Sequence, residues 1–162
     1  MIRKVKASDA NEITNIYNYF IRETVITFEE EEITSDEMLV RIDKIANDGF
    51  PWFVALDENN KLIGYAYATK WRERFAYRFS VEVAVYLDPV AQGKGVGSEI
   101  FGVLLKELKS RGIKRALGAI TIPNEASAAL HEKFSFKKVA HFDKVGLKFG
   151  EWLDVGFWQG DV

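Results

Sequence analysis

One stretch, Phe79 to Ser98, constrains the fold of this chain more than any other part of the sequence. Its first half alternates apolar residues with Ser80, Glu82 and Ala84, the period-two pattern of a strand with one apolar face. An Asp-Pro step ends the strand, glycines follow at alternate positions, and an apolar-periodic run typical of a helix comes next. The stretch therefore predicts a strand, a glycine loop and a helix in direct succession.

The glycine loop places Gly93, Gly95 and Gly97 immediately before the predicted helix. Backbone N–H groups at a helix N-terminus lack helical partners, and the positive end of the helix dipole favours an anion. The loop thus predicts a cradle for a diphosphate, and Lys94 adds a suitable charge. Two common nucleotide motifs are excluded, because no Gly-Lys-Ser or Gly-Lys-Thr closes the loop and its spacing is G-x-G-x-G.

Composition limits the partners and the number of domains. A chain of 162 residues with 48% apolar and 14% aromatic content can bury one good core, so we expect residues 1–162 to form a single domain. The net charge of −2, with both signs interspersed, gives no electrostatic reason to expect nucleic acid or an anionic membrane as a partner. Cysteine is absent, which fits a reducing compartment. With neither a signal-like start nor a membrane-spanning apolar run, we expect a cytoplasmic location.

The remaining sequence supplies the other elements of a mixed α/β fold. Before the central strand the patterns predict a strand at 2–5, a helix capped by Ser8 or Asp9, a helix capped by Ser35 or Asp36, and a hairpin of strands at 52–56 and 62–69. After the central strand they predict a helix to about Arg111, a strand at 116–122, a short helix capped by Asn124, and an antiparallel pair over 136–158. The acidic run Glu29 to Glu32 is expected to be a solvated loop. The order β-α-α-β-β-β-α-β-α-β-β predicts the α/β (mixed α+β) class.

Glu82 is the residue whose position most needs an explanation. A carboxylate midway along an otherwise apolar strand must be solvated, paired or functional. If a cleft opens there, the carboxylate could take a proton from an ammonium substrate, directly or through water. The alternative is a glutamate on the sheet surface that merely faces solvent.

A second candidate group follows the strand after the glycine-loop helix. Asn124, Ser127 and His131 have the i, i+3, i+7 spacing that places them on one helix face. The alternatives are that Asn124 only caps the helix and that His131 is a partly buried, hydrogen-bonded histidine.

The segment Lys70 to Arg78 is aromatic and basic, which a purely structural connection would not require. Guanidinium groups suit a carboxylate or phosphinate, so this loop is the predicted source of substrate contacts. The candidates are Arg72, Arg74, Phe75, Ala76, Tyr77 and Arg78. The alternative is a solvated surface in which arginine stems pack on aromatic rings.

At this point the residues carry a family resemblance. The segment Gln92-Gly93-Lys94-Gly95-Val96-Gly97 resembles the acyl-CoA motif Q/R-x-x-G-x-G/A of the GNAT N-acetyltransferases. Two later segments resemble the phosphinothricin acetyltransferase branch of that family, namely Pro123-Asn124-x-x-Ser127-x-x-Leu130-His131-Glu132 and Gly146-x-Lys148-x-Gly150-x-Trp152-x-Asp154-Val155-x-x-Trp158. With Ser80-Val81-Glu82, the match spans essentially the whole chain. One departure is Ser135, where the family pattern has glycine, which predicts a serine in a left-handed helix cap.

The resemblance implies a fold, a co-substrate and an assembly. The fold is a single GNAT-like domain with a central mixed, largely antiparallel sheet flanked by helices, the co-substrate is acetyl-CoA without a metal, and the assembly is a homodimer. The residues implied to bind acetyl-CoA are Val85, Tyr86, Leu87, Gly93, Lys94, Gly95, Val96, Gly97, Ser98, Asn124, Ser127 and Lys133. Glu82 matches the catalytic base of the branch. His131 lies where many members have a tyrosine that protonates the leaving thiolate, so the same role is implied for it.

The predicted function is therefore transfer of acetyl from acetyl-CoA to the primary amine of a small amino acid or analogue, such as phosphinothricin or methionine sulfoximine. Direct transfer in a ternary complex is expected, with a backbone N–H of the central strand stabilising the oxyanion. One alternative is a non-catalytic acyl-CoA sensor, which would have no use for Glu82 or an arginine-rich loop. Another is a peptide or protein N-acetyltransferase, which the bulky Trp71 to Arg78 loop disfavours. Which amine is acetylated stays open.

Overall fold

The computed structural model describes residues 1–162 and contains seven strands, four α-helices and three short 3-10 helices. The strands are β1 (Ile2–Lys4), β2 (Trp52–Leu56), β3 (Leu62–Lys70), β4 (Ser80–Leu87), β5 (Arg115–Ile122), β6 (Lys137–Lys148) and β7 (Glu151–Asp161). The α-helices are α1 (Ala10–Glu23), α2 (Ser35–Asn47), α3 (Val96–Ser110) and α4 (Glu125–Lys133). The 3-10 helices are Ala7–Asp9, Phe75–Tyr77 and Pro89–Ala91. The predicted order of elements is confirmed.

The strands form one sheet in the order β1-β2-β3-β4-β5-β7-β6. Neighbouring strands are antiparallel except for β4 and β5, which are parallel. The predicted class, a mixed and largely antiparallel sheet flanked by helices, is therefore confirmed. The parallel pairing covers only Ser80 with Arg115, Val81 with Ala116, and Glu82 with Leu117, and beyond these pairs the two strands separate.

Each face of the sheet is covered by its own apolar cluster. The stripe of α1, which includes Ile13 and Phe20, packs with α2 against Val54 and Tyr65 on one face. On the other face, α3 packs against a cluster that includes Val81 and Val83. Burying a large apolar side chain contributes about 1.5–3 kcal/mol, so both helical layers are held mainly by this packing. No helix of the structure has the length and apolar character needed to cross a membrane.

One predicted helix cap is wrong by one residue, and another is correct in position only. The cap of α2 is Thr34, not Ser35 or Asp36: its side chain accepts a hydrogen bond from the Glu37 N–H at 3.2 Å, and the Glu37 carboxylate accepts one from the Thr34 N–H at 2.9 Å. This capping box satisfies two unpaired N–H groups at once. Asp9 is the N-cap residue of α1, one of the two residues predicted, but its carboxylate accepts from the Lys6 N–H at 2.7 Å and makes no hydrogen bond to that helix.

The serine that departs from the family pattern has the backbone conformation that the sequence predicted. Ser135 has φ of +65°, in the left-handed region, just after α4. Its N–H donates to the Glu132 carbonyl at 2.9 Å, as expected for a residue that ends a helix.

Candidate active site

A cleft of about 800 Å³ lies where β4 and β5 separate. It is lined by β4, the glycine loop, the end of β5 and α4, and it continues towards α1 and β3. From Val83 to Leu87, the edge of β4 that faces β5 has no partner strand. Backbone N–H and C=O groups on such an edge require partners, so they are available to an extended ligand.

The glycine loop forms one end of this cleft, the glycine end. Gly93 and Gly95 have φ of +73° and +83°, which only glycine adopts readily. Gly95 precedes α3, and the first helical bond is donated by the Glu99 N–H to the Gly95 carbonyl at 3.1 Å, so the N–H groups before Glu99 lack helical partners. From α4, Lys133 Nζ donates to Ser98 Oγ at 3.0 Å and brings a positive charge to the same place. The arrangement fits a diphosphate.

Ten of the twelve residues predicted to bind acetyl-CoA line the cleft. They are Val85, Tyr86, Leu87, Gly93, Gly95, Gly97, Ser98, Asn124, Ser127 and Lys133. The other two, Lys94 and Val96, do not line it. Lys94 is exposed, and Val96 packs against the core beneath α3, because the period of the helix turns an apolar residue at this position inwards.

Glu82 lies at the opposite end of the cleft, the carboxylate end. Its neighbours Val81 and Val83 pack towards α3, so the alternation of β4 turns Glu82 towards α1 and α2, beside Thr69 of β3. Burial raises the pKa of the Glu82 carboxyl above its usual value, and the charge of Arg72 lowers it in part. A half-buried carboxylate with a raised pKa at the base of a cleft is a candidate general base, unlike the solvent-facing glutamate of the alternative interpretation.

His131 also lines the cleft but is 4% exposed and has one hydrogen bond. Its Nδ1 donates to the Ser127 carbonyl at 2.7 Å, because a carbonyl oxygen can only accept. Burial lowers the pKa of His131, and the Ser127 bond only partly offsets this effect. Nε2 has no partner and lies against Gly118, where a Cβ atom would overlap the ring.

Glu82 and His131 reach the cleft from opposite faces of the sheet. His131 packs against Phe101 and Phe136 of the α3 side, whereas Glu82 faces α1 and α2. The neutral tautomer of His131 carries its hydrogen on Nδ1, so Nε2 has none to donate. The role of His131 as an acid stays a prediction, and the geometry favours the hydrogen-bonded histidine that was the alternative.

Sequence reasoning did not find the walls of the carboxylate end. They are formed by Phe20, Ile26, Thr27, Phe28, Tyr67, Thr69 and Val155. Tyr67 and Thr69 pair with Ala84 and Glu82 across the β3–β4 ladder, so they share one face with Glu82. The alternation of β3 could have identified these two, but nothing local marks the loop residues Ile26 to Phe28.

The loop between α1 and α2, residues 24–34, is tied in place by polar contacts. Glu29 receives two hydrogen bonds from Arg41, at 2.8 and 2.5 Å, and a third from the Tyr17 hydroxyl. The Arg41 bonds, against an opposing effect of burial, hold the pKa of the Glu29 carboxyl below its usual value. The expectation of a solvated acidic run is therefore wrong for Glu29, whereas Glu30 to Glu32 are exposed.

The six predicted substrate residues of the 70–78 segment do not line the cleft. All of them are exposed, and the Arg72 and Arg78 guanidinium groups lie over the rings of Trp71 and Phe75 at 4.0 and 4.2 Å. Arg72 and Arg78 thus have the arrangement of the alternative interpretation, an arginine packed on a ring. Arg72 differs from Arg78 because its charge also acts on Glu82. No group of three or more His, Cys, Asp or Glu side chains is arranged to hold a metal ion.

Comparison with known proteins gives consistent matches over nearly the whole chain. Residues 2–156 match the family profile described as "Acetyltransferase (GNAT) domain". The phosphinothricin N-acetyltransferase of Streptomyces coelicolor is 38% identical over 160 residues, 98% of this chain and 94% of that protein. The L-methionine sulfoximine/L-methionine sulfone acetyltransferase of Salmonella typhimurium is 34% identical over 158 residues, 98% of this chain and 92% of that protein.

Among solved structures, a phosphinothricin acetyltransferase from Sinorhizobium meliloti in complex with acetyl-CoA matches with a TM-score of 0.97 and 37% identity, covering 100% of this chain and 88% of that one. The resemblance that the motifs indicated is confirmed by these matches.

Proposed function

The chain belongs to the GNAT acetyltransferase family, and on this premise we propose that it transfers the acetyl group of acetyl-CoA to the primary amine of a small amino acid or amino-acid analogue. The relatives named above act on phosphinothricin and on methionine sulfoximine or methionine sulfone, which are compounds of that class. One observation carries the proposal: Glu82, with its raised pKa, lies in the same cleft as the unpaired edge of β4 and the glycine end.

The residues present fit acetyl-CoA, which supplies the acetyl thioester. The N–H groups at the start of α3 together with Lys133 would hold the diphosphate, and the free edge of β4 would bind the extended arm. Glu82 would accept the proton of the substrate ammonium, which leaves a neutral, nucleophilic amine. A backbone N–H of β4 would stabilise negative charge on the carbonyl oxygen while the C–N bond forms. The C–S bond of the thioester would then break, and the CoA thiolate would leave and take its proton from solvent.

Two further assignments follow from the geometry. We propose that the role of His131 is structural: its ring fills the space above Gly118, and its Nδ1–H donates to the Ser127 carbonyl. In this proposal His131 transfers no proton. Of the six substrate candidates we retain Arg72. The carboxylate end itself is lined by apolar and hydroxyl side chains, and Arg72 is the cation whose charge lowers the pKa of Glu82. Its guanidinium would pair with the substrate carboxylate or phosphinate.

An amine screen tests this function directly. The protein is incubated with acetyl-CoA and single amines, and free thiol is measured; the panel contains phosphinothricin, methionine sulfoximine, ordinary amino acids and an alanine-terminated peptide. We expect thiol release with at least one amino acid or analogue, because Glu82 can deprotonate an ammonium group in the cleft. Acetyl-CoA binding without thiol release from any amine would support the sensor, and preference for the peptide would support a protein acetyltransferase.

We also propose that the chain, a single domain over residues 1–162, forms a homodimer through the β6–β7 hairpin. This edge of the sheet exposes an apolar group formed by Val139, Phe142, Val145, Leu147, Phe149 and Trp152. Trp152 alone is 62% exposed, and apolar patches of this kind mark interaction surfaces. We place the enzyme in the cytoplasm because acetyl-CoA is made and kept inside cells.

Light scattering at micromolar concentration checks the assembly. We expect a mass twice the 18.5 kDa of the chain for the parent protein and a shift towards 18.5 kDa for Trp152→Lys, since a charge in a buried apolar contact is costly. A parent protein that is monomeric under these conditions contradicts the proposed dimer.

A further inference from the structure

Two residues of β6 connect the C-terminal hairpin to the carboxylate end of the cleft. Of the twelve residues of this strand, only Gly146 and Lys148 are buried. They are two positions apart, so they lie on the same face of the strand. Both contact the loop 24–34, which lies far away in the sequence.

Lys148 is fully buried, with 0% of its surface exposed. Its Nζ donates a hydrogen bond to the Thr27 carbonyl at 2.8 Å. It forms no ion pair, although the charges of Glu30 and Glu29 act on it from a distance. Burial lowers the pKa of its ammonium group. A buried ammonium without a carboxylate partner is costly, and an apolar side chain would fill the space at a lower cost if packing were its only task.

Gly146 makes the second contact, with Phe28. A Cβ atom at position 146 would overlap the Phe28 ring, so the ring lies directly on the backbone of β6. Phe28 is also part of the wall of the cleft. The absence of a side chain at position 146 therefore fixes how far this ring extends into the carboxylate end.

Thr27 is held from two directions. Lys148 binds its carbonyl, and the Tyr17 hydroxyl lies 2.9 Å from its Oγ1 on the α1 side. Thr27 and Phe28 are adjacent residues that line the cleft together with Tyr67 and Thr69. Their position therefore depends on β6 as much as on the helices that flank the loop.

We propose that Lys148 and Gly146, together called the clamp, are positioning residues that fix Thr27 and Phe28 and thereby determine which amines the enzyme accepts. The proposal rests on the proposed function, in which the amine binds at the carboxylate end. The clamp touches neither the reacting atoms nor the glycine end, so its effect should be confined to the amine.

The first test replaces the lysine with a residue of similar length and no charge. Lys148→Met should raise KM for the best amine about tenfold, the effect of losing one charged hydrogen bond, and leave kcat and KM for acetyl-CoA within about twofold. Lys137→Met is the matched control, because Lys137 is an exposed lysine of the same strand. Light scattering on all variants verifies that assembly is unchanged.

Hydrogen exchange of the amides of residues 25–33 provides a measurement that needs no amine. Loss of the Lys148 bond should increase exchange there about tenfold, with no change in β4 or α3. This separates the clamp from the proposed function: unchanged exchange in Lys148→Met overturns the clamp even if the parent is an acetyltransferase.

A second variant keeps the proposal testable if Lys148→Met does not fold. Gly146→Ala should displace the Phe28 ring and change the ratio of kcat/KM between large and small amines about tenfold. In a Phe28→Ala background, the same substitution should have no further effect, because the ring that it displaces is gone. Equal effects in both backgrounds, or an equal rise in KM for acetyl-CoA, would overturn the proposal.

Discussion

Replacing Glu82 with glutamine should lower kcat/KM for the best amine about 10²–10⁴-fold near pH 7, the usual contribution of a positioned acid–base group. Glutamine keeps the shape of the side chain but cannot accept the proton, so acetyl-CoA affinity should barely change. Steady-state kinetics with both substrates, together with calorimetric titration of acetyl-CoA, measures the two effects separately. Full turnover by the variant at neutral pH would show that the carboxylate is structural.

The pH dependence gives this prediction a control. In the parent, activity should rise as pH increases through the raised pKa of Glu82, because only the ionised carboxyl accepts a proton. The defect of Glu82→Gln should shrink as pH approaches the pKa of the substrate amine, which then needs less help from a base. Because folding raises the pKa of Glu82, the folded protein loses stability as pH rises from the ordinary pKa of the carboxyl through the raised one. Glutamine cannot ionise, so Glu82→Gln should have a melting temperature no lower than that of the parent at pH 7.

Gly95→Val should abolish the stabilisation of the protein by acetyl-CoA. At a ligand concentration of 100 Kd the parent gains about 2.7 kcal/mol, which raises its melting temperature by roughly 5–10 °C. Valine disfavours the φ of +83° at position 95 and would place a side chain in the open space above the glycine end. Melting curves with and without acetyl-CoA measure the loss.

Gly112→Val is the matched control for backbone strain. Gly112 follows the far end of α3, has φ of +80°, and also has open space around its Cβ position. Both substitutions should lower the melting temperature of the ligand-free protein by a similar amount, because a left-handed conformation costs such a residue about 1–2 kcal/mol. Only Gly112→Val should keep the shift caused by acetyl-CoA. A Gly95→Val variant that binds as tightly as the parent would contradict the assigned cradle.

Features encoded by neighbouring residues could be predicted from the sequence. The period-two run around Glu82 and the alternate glycines gave the strand, the loop and the helix, and the structure contains them in that order. The position of Ser135, after a helix and where the family has glycine, predicts a left-handed conformation, and its φ is +65°. In each case the signal and the structure involve the same few residues.

Features that depend on distant contacts could not be predicted. Glu29 belongs to an acidic run that reads as solvated, and only the fold brings Arg41 and Tyr17 to it. His131 reads as a possible proton donor until its Nδ1 is seen to bind the Ser127 carbonyl and its ring to lie on Gly118. The clamp joins positions more than a hundred residues apart, as the separation of 121 between Lys148 and Thr27 shows. Periodicity carries no information about such pairs.

The brief parallel pairing of β4 with β5 divides the sheet into two halves, β1 to β4 and β5 to β7, which are joined by only three residue pairs. Both strands that border the gap are held on their other side, because β4 is paired with β3 over Val81 to Leu87 and β5 with β7 along its whole length. The centre of the sheet can therefore stand open without collapsing. Acetyl-CoA bound to the free edge of β4, as proposed, would take the place of an absent strand and would be exchanged at every turnover. With this binding mode, each catalytic cycle would complete the sheet and open it again.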